Sequence, residues 1–71
     1  MSEPVNAPVA GSVWRVLVGP GQAVGQNEEV AILESMKMEI PVEVPRAGTI
    51  ARVVVAVGQP VAEGDLIAEL D

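Results

Sequence analysis

Cysteine and histidine are absent from this chain of 71 residues. Without cysteine there are no disulfide staples and no thiolate, and without histidine the commonest general base and metal ligand is missing. Tyrosine and phenylalanine are absent too, which leaves Trp14 as the one aromatic, expected to be a partly buried packing residue. Four side chains are cationic against ten acids, for a formal net charge of -6. No basic cluster offers a footprint for nucleic acid or an anionic membrane. No apolar run is long enough to cross a bilayer as a helix, and Met1-Ser2-Glu3-Pro4 lacks the basic start and apolar stretch of a secretory leader, so a cytoplasmic location is the expectation. A chain of this length makes one small domain, 1–71, with no room for a separate catalytic unit. Carboxylates, hydroxyls and a few cations are a poor catalytic set on their own, so the chain reads as a substrate or carrier of enzymes and not as an enzyme.

What the chain does have is an internal repeat. Pro8, Ala10, Gly11, Arg15, Val16, Val18, Gly21, Gln22 and Val24 recur as Pro45, Ala47, Gly48, Arg52, Val53, Val55, Gly58, Gln59 and Val61. One recurrence defines a two-fold pseudo-symmetric domain rather than a solenoid, with units of about 8–34 and 45–70. Near the end of each unit the best match of residue types slips by one, setting Val30-Ala31-Ile32-Leu33 against Leu66-Ile67-Ala68-Glu69. β-Branched residues dominate and Gly or Pro punctuates every few positions, which predicts short strands and no helix. The strands expected are 13–18, 30–35, 38–44, 50–55 and 66–70. Pro20-Gly21 suits the centre of a type II turn, and Gly58 takes the same place in the second unit. Gly11 and Gly48 are read as turn formers as well. The apolar positions 13, 16, 18 and 50, 53, 55 break strict alternation, which predicts a β-bulge near Arg15 and Arg52. The fold class expected is all-β, two antiparallel sheets packed face to face as a flattened barrel, one sheet from each unit with some exchange of strands.

Chemistry points to one place. Lys37 is the only lysine, and it lies at the centre of Glu34-Ser35-Met36-Lys37-Met38-Glu39 between two predicted strands. A two-residue turn at Met36-Lys37 sets Ser35 opposite Met38, Leu33 opposite Ile40 and Ala31 opposite Val42, so one face of the hairpin is consistently apolar. The same register sets Glu34 opposite Glu39. Like charges directly opposite are unfavourable, and tight hairpin turns favour Asn-Gly over Met-Lys. Two local rules break at one point, a pattern expected where function tolerates strain. The plain alternative is an ordinary exposed lysine on a loop.

Glu34-Ser35-Met36-Lys37-Met38-Glu39-Ile40-Pro41 resembles the attachment motif of biotinyl domains, usually Glu-Ala-Met-Lys-Met, in which the lysine accepts biotin. The Ala-Pro-x-Ala-Gly start, the Gly-Gln-x-Val segment and the two-unit repeat extend the resemblance to the biotinyl and lipoyl carrier family over nearly the whole chain. It implies a flattened eight-stranded barrel-sandwich hybrid of two four-stranded sheets, with Lys37 on an exposed turn away from the chain termini. Ser35 replaces the usual alanine. The connection 18–24 matches 55–61 in length, so the protruding thumb of some carriers is not expected. The resemblance further implies biotin joined covalently to Lys37 as a swinging arm. A biotin protein ligase would attach it, and a biotin carboxylase and a carboxyltransferase acting on an acyl-CoA or 2-oxo acid would use it. Met36, Met38 and Glu34 would be contacts for ligase or partner, with Met38 equally able to cover the core and Glu34 equally able to be a solvated strand residue. Metal, nucleic acid and membrane have no part in this reading. Two alternatives stay open: a lipoyl carrier of a 2-oxo acid dehydrogenase-type complex, which usually carries Asp-Lys-Ala, and an unmodified β-barrel adaptor.

Overall fold

The computed structural model describes residues 2–71. Eight strands follow in chain order: β1 (Glu3–Asn6), β2 (Gly11–Val16), β3 (Ala23–Val24), β4 (Glu29–Ser35), β5 (Met38–Glu43), β6 (Gly48–Val53), β7 (Pro60–Val61) and β8 (Leu66–Leu70). No helix occurs among the described residues. Two four-stranded sheets, ordered β1-β8-β6-β3 and β5-β4-β2-β7, pair antiparallel throughout. They form a body of 32 × 18 × 17 Å, the flattened sandwich that the resemblance implies. Replacing β1, β2, β3 and β4 by β5, β6, β7 and β8, and the reverse, turns one sheet order into the other. The exchange between units is carried by β3, which joins β6, and β7, which joins β2.

The pairing corrects the expected slip between units. Val13 faces Leu33 and Arg15 faces Ile32 in the first unit, while Ile50 faces Leu70 and Arg52 faces Glu69 in the second. The correspondence therefore runs without a break to the strand ends: Val30 to Ile67, Ala31 to Ala68, Ile32 to Glu69 and Leu33 to Leu70. Matching residue types had favoured the slip, but inward or outward orientation decides the register of a half-buried strand. Val30, Ala31, Leu33, Ile67, Ala68 and Leu70 are all buried, and Glu69 takes the outward position of Ile32, where it pairs with Arg52. The same pairings leave Trp14 and Ala51 as extra residues, which are the bulges expected near Arg15 and Arg52.

Turn chemistry repeats in the same way. Gly21 (φ 85°) and Gly58 (φ 90°) adopt the left-handed conformation that the turns 19–22 and 56–59 require. Each turn is closed by a backbone bond, Gln22 N–H to the Gly19 carbonyl and Gln59 N–H to the Ala56 carbonyl. The side-chain Oε1 of Gln22 and of Gln59 also accepts from the N–H of Gly19 and Ala56, which gives the repeated Gly-Gln pair its physical reason. The connections 17–22 and 54–59 are equal in length, and neither carries a thumb.

The core is purely aliphatic. Leu33, Ile50, Ile67, Leu70, Val13, Val30, Val42 and Val44 are its largest fully buried side chains, and no polar side chain is buried among them. Each of the larger ones contributes about 1.5–3 kcal/mol through removal from water. Trp14 is not part of this core. The bulge turns it outward to 43% exposure, correcting the expectation of a packing residue, and the Arg15 guanidinium lies over its ring at 5.4 Å.

Candidate functional site

The β4–β5 hairpin builds the site. Its register pairs Ala31 with Val42, Leu33 with Ile40, Glu34 with Glu39 and Ser35 with Met38, as the turn length requires. Leu33 and Val42 are buried and fasten the hairpin to the core, so the turn projects from a rigid base. The two turn residues, Met36 (φ 52°) and Lys37 (φ 65°), both lie in the left-handed region. A type I′ hairpin turn needs this conformation at both central positions, and side chains other than Gly, Asn or Asp adopt it at a cost of about 1–2 kcal/mol per residue. The strain inferred from a Met-Lys turn is therefore present in the backbone.

Met36 is 93% exposed and Met38 62% exposed. Met38 accordingly does not cover the core, which closes one of its two readings. Lys37 is exposed, as are Glu34 and Glu39. The ion pairs among the described residues are Arg46–Glu3 and Arg52–Glu69, so Lys37 and its two flanking carboxylates stand in none. The hairpin holds the four residues singled out from sequence, Glu34, Met36, Lys37 and Met38, on one projection. No pocket occurs among the described residues, and no three acidic side chains gather as a metal site there. An exposed amine at the tip of a turn, engaged in no ion pair, suits acylation by another protein's active site.

Sequence reasoning missed one residue of this site. Gly11 opens β2, whose next residue, Ser12, pairs with Glu34. A Cβ at Gly11 would stand 2.4 Å from the Glu34 carbonyl oxygen and 3.3 Å from Ser35 Cβ. Gly48 is similarly crowded, with the Asp71 carbonyl oxygen at 2.9 Å from the corresponding point. Neither glycine has a positive φ. The reading of both as turn formers is thus corrected: they are places where a strand comes too close for a side chain.

The far end of β5 is fixed differently. At about 3.3 Å per residue the six residues of β5 run roughly 20 Å from the turn. Beyond them Arg46 donates from Nε to Glu3 Oε1 at 2.8 Å and from a guanidinium nitrogen to the Asp71 carbonyl at 3.0 Å. Both described chain ends are therefore gathered at the end of the body away from Lys37. On the β1-β8 side, the guanidinium of Arg52 and then the hydroxyl of Ser2, both donating to Glu69, hold its carboxyl below the ordinary glutamate range.

A two-fold β-sandwich that displays one strained, exposed lysine turn, with no pocket among the described residues, fits a carrier domain. The chain belongs to the biotin/lipoyl family described as biotin-requiring enzyme, whose model matches residues 2–70. The "Biotin/lipoyl attachment protein" of Bacillus subtilis is 53% identical over 36 residues, which are 51% of this chain and 49% of that protein. The "Biotinylated protein TB7.3" of Mycobacterium tuberculosis is 47% identical over 40 residues, 56% of each chain. These matches span about half the length of the curated relatives. Among solved structures, the urea carboxylase of Kluyveromyces lactis superposes with a TM-score of 0.94 at 27% identity, covering 100% of this chain and 6% of that one. A single-chain, multi-domain long-chain acyl-CoA carboxylase superposes with a TM-score of 0.89 at 31% identity, covering 96% of this chain and 7% of that one.

Proposed function

We propose that the protein is a biotin carboxyl carrier in which Lys37 is the attachment residue. The observation that carries this reading is the Met36-Lys37 turn: one exposed amine, held in a strained conformation that local preference does not favour, between exposed methionines. Attachment forms an amide. The Lys37 Nζ gives up a proton to the ligase, bonds to the activated biotin carboxyl carbon, and the activating group leaves. Once bound, biotin supplies a nitrogen that carries a carboxyl group. The chain's own part is to hold the tether at the tip of a stiff hairpin, so that transfer between a biotin carboxylase and a carboxyltransferase becomes a local event at high effective concentration. Met36, Met38 and Glu34 are the contacts proposed for the ligase and these partners, methionine being adaptable to different surfaces. On this reading the chain does no bond chemistry beyond accepting its cofactor, and the carboxyl acceptor is an acyl-CoA or a 2-oxo acid. The biotinylated relatives and the carboxylase neighbours support it.

Intact mass with peptide mapping of the protein from its native host is the test. A biotin adduct on Lys37 is expected. A lipoyl adduct there would replace this reading with the lipoyl carrier, and an unmodified chain under biotin-replete conditions would replace it with the adaptor.

A further inference from the structure

We propose that Gly11 is a positioning residue for Lys37, setting the place of the acceptor turn from the neighbouring strand. The inference rests on Lys37 being the residue that is modified. The turn has no slack. It has two residues, both already in the left-handed region, and it is closed by the Ser35–Met38 pair. The residue that fixes where the turn begins is Glu34, whose carbonyl oxygen would be 2.4 Å from a Gly11 Cβ. Real atoms do not approach that closely, so a side chain at position 11 forces the start of β2 and the end of β4 apart. Ser35, at 3.3 Å from the same point, moves with the end of β4. Leu33 is fully buried, which anchors the strand below this contact. The displacement therefore passes outward into Met36 and Lys37 and not inward into the core.

The pseudo-symmetry supplies an internal control. Gly48 is the counterpart of Gly11 and is crowded in the same way, by the Asp71 carbonyl at 2.9 Å and an Arg46 guanidinium nitrogen at 2.8 Å, but at the end of the body away from Lys37. Alanine at either glycine introduces a clash, the tighter one at Gly11, and only Gly11→Ala introduces it beneath the acceptor.

The experiment compares wild-type protein, Gly11→Ala and Gly48→Ala as apo chains. Initial rates with biotin, ATP and a biotin protein ligase are read by intact mass. Measurements are made at low temperature in a stabilising osmolyte, with folding checked by circular dichroism. Gly11→Ala is expected to lower kcat/KM about tenfold or more, since a displacement near 1 Å at a reacting group has effects of that order. Gly48→Ala should react like the wild type, although both variants melt earlier. In an amide NMR spectrum Gly11→Ala should shift Met36, Lys37 and Met38, and Gly48→Ala should not. A folded Gly11→Ala with the wild-type rate would overturn the proposal, as would equal slowing in both variants. It would also be overturned if Gly11→Ala stayed unfolded where Gly48→Ala folds, since the glycine would then serve folding. If neither the wild type nor Gly48→Ala takes up biotin on Lys37, it is the carrier reading that has failed.

Discussion

Single residues carry more strain at the Met36-Lys37 turn than anywhere else in the described chain. Asn27 is the other non-glycine with positive φ (65°), and asparagine tolerates that conformation through its short polar side chain. Met36 has no such excuse. Met36→Asn should therefore raise the stability of the apo protein by about 1 kcal/mol, read as a rise in Tm of roughly 4–8 °C for a domain of this size. The same variant should be modified more slowly on the proposed role of Met36; a stabilised variant with an unchanged rate would remove that role. Glu69 gives a second residue-level expectation. Its folded carboxyl is held below the ordinary range by Arg52 and Ser2, so ionised Glu69 favours the folded state above the unfolded-state pKa of about 4.3. That contribution is lost as pH falls through the lower folded value. Urea midpoints at pH 7 and pH 3 should accordingly differ less in Glu69→Gln than in the wild type, and equal differences would show that the contact does not matter. Gly11 was not legible at this scale, because a sequence records that a glycine is present but not which carbonyl lies over it.

Hairpins and bulges were the elements most legible in advance, and for a common reason. A two-residue turn leaves one register, and the alternation of apolar and polar residues in Leu33, Glu34, Glu39 and Ile40 leaves one face to bury. The bulges were legible because inward positions miss the two-residue period at the same place in both units. Trp14 misled because aromatic residues in small domains usually pack inside, whereas the bulge sets this one outward under Arg15. The opposed Glu34–Glu39 pair belongs to the element, not to either residue. Relieving it with Glu39→Thr, a good strand former, should stabilise the hairpin by about 0.5 kcal/mol in dilute buffer. The gain should shrink with added salt, which screens exposed like charges. Denaturant titrations of both proteins at low and high ionic strength make the comparison. A gain independent of salt would mean that strand propensity, not charge, separates the two.

For the whole molecule, the repeat was visible in the positions that must stay the same, Gly-Gln turns and Val-rich strands, and was misjudged where the units diverge in type but not in orientation, as in Ile32 and Glu69. Two-fold construction has a functional consequence. The hairpin that displays Lys37 joins β4 to β5, while the equivalent strands β8 and β1 pair where the chain ends lie, Glu3 opposite Leu70. One pole thus presents the Met36-Lys37 turn and the other presents both described ends, tied by Arg46 to Glu3 and Asp71. If Lys37 is the attachment residue proposed above, about 20 Å of β5 between the poles keeps a protein fused to either end out of the ligase's approach. Fusing a large folded domain after Asp71 through a flexible linker should therefore leave the rate of biotin attachment unchanged. Inserting a short Gly/Ser segment between Met36 and Lys37 should abolish attachment while the core, fixed by Leu33, Val42, Ile50 and Leu70, keeps the fold. Rates by intact mass, with circular dichroism for folding, decide between the poles. A fusion that slows attachment would mean that the ligase reaches around the body to the chain ends, and an inserted turn that is still modified would mean that the strained geometry is not what the ligase reads.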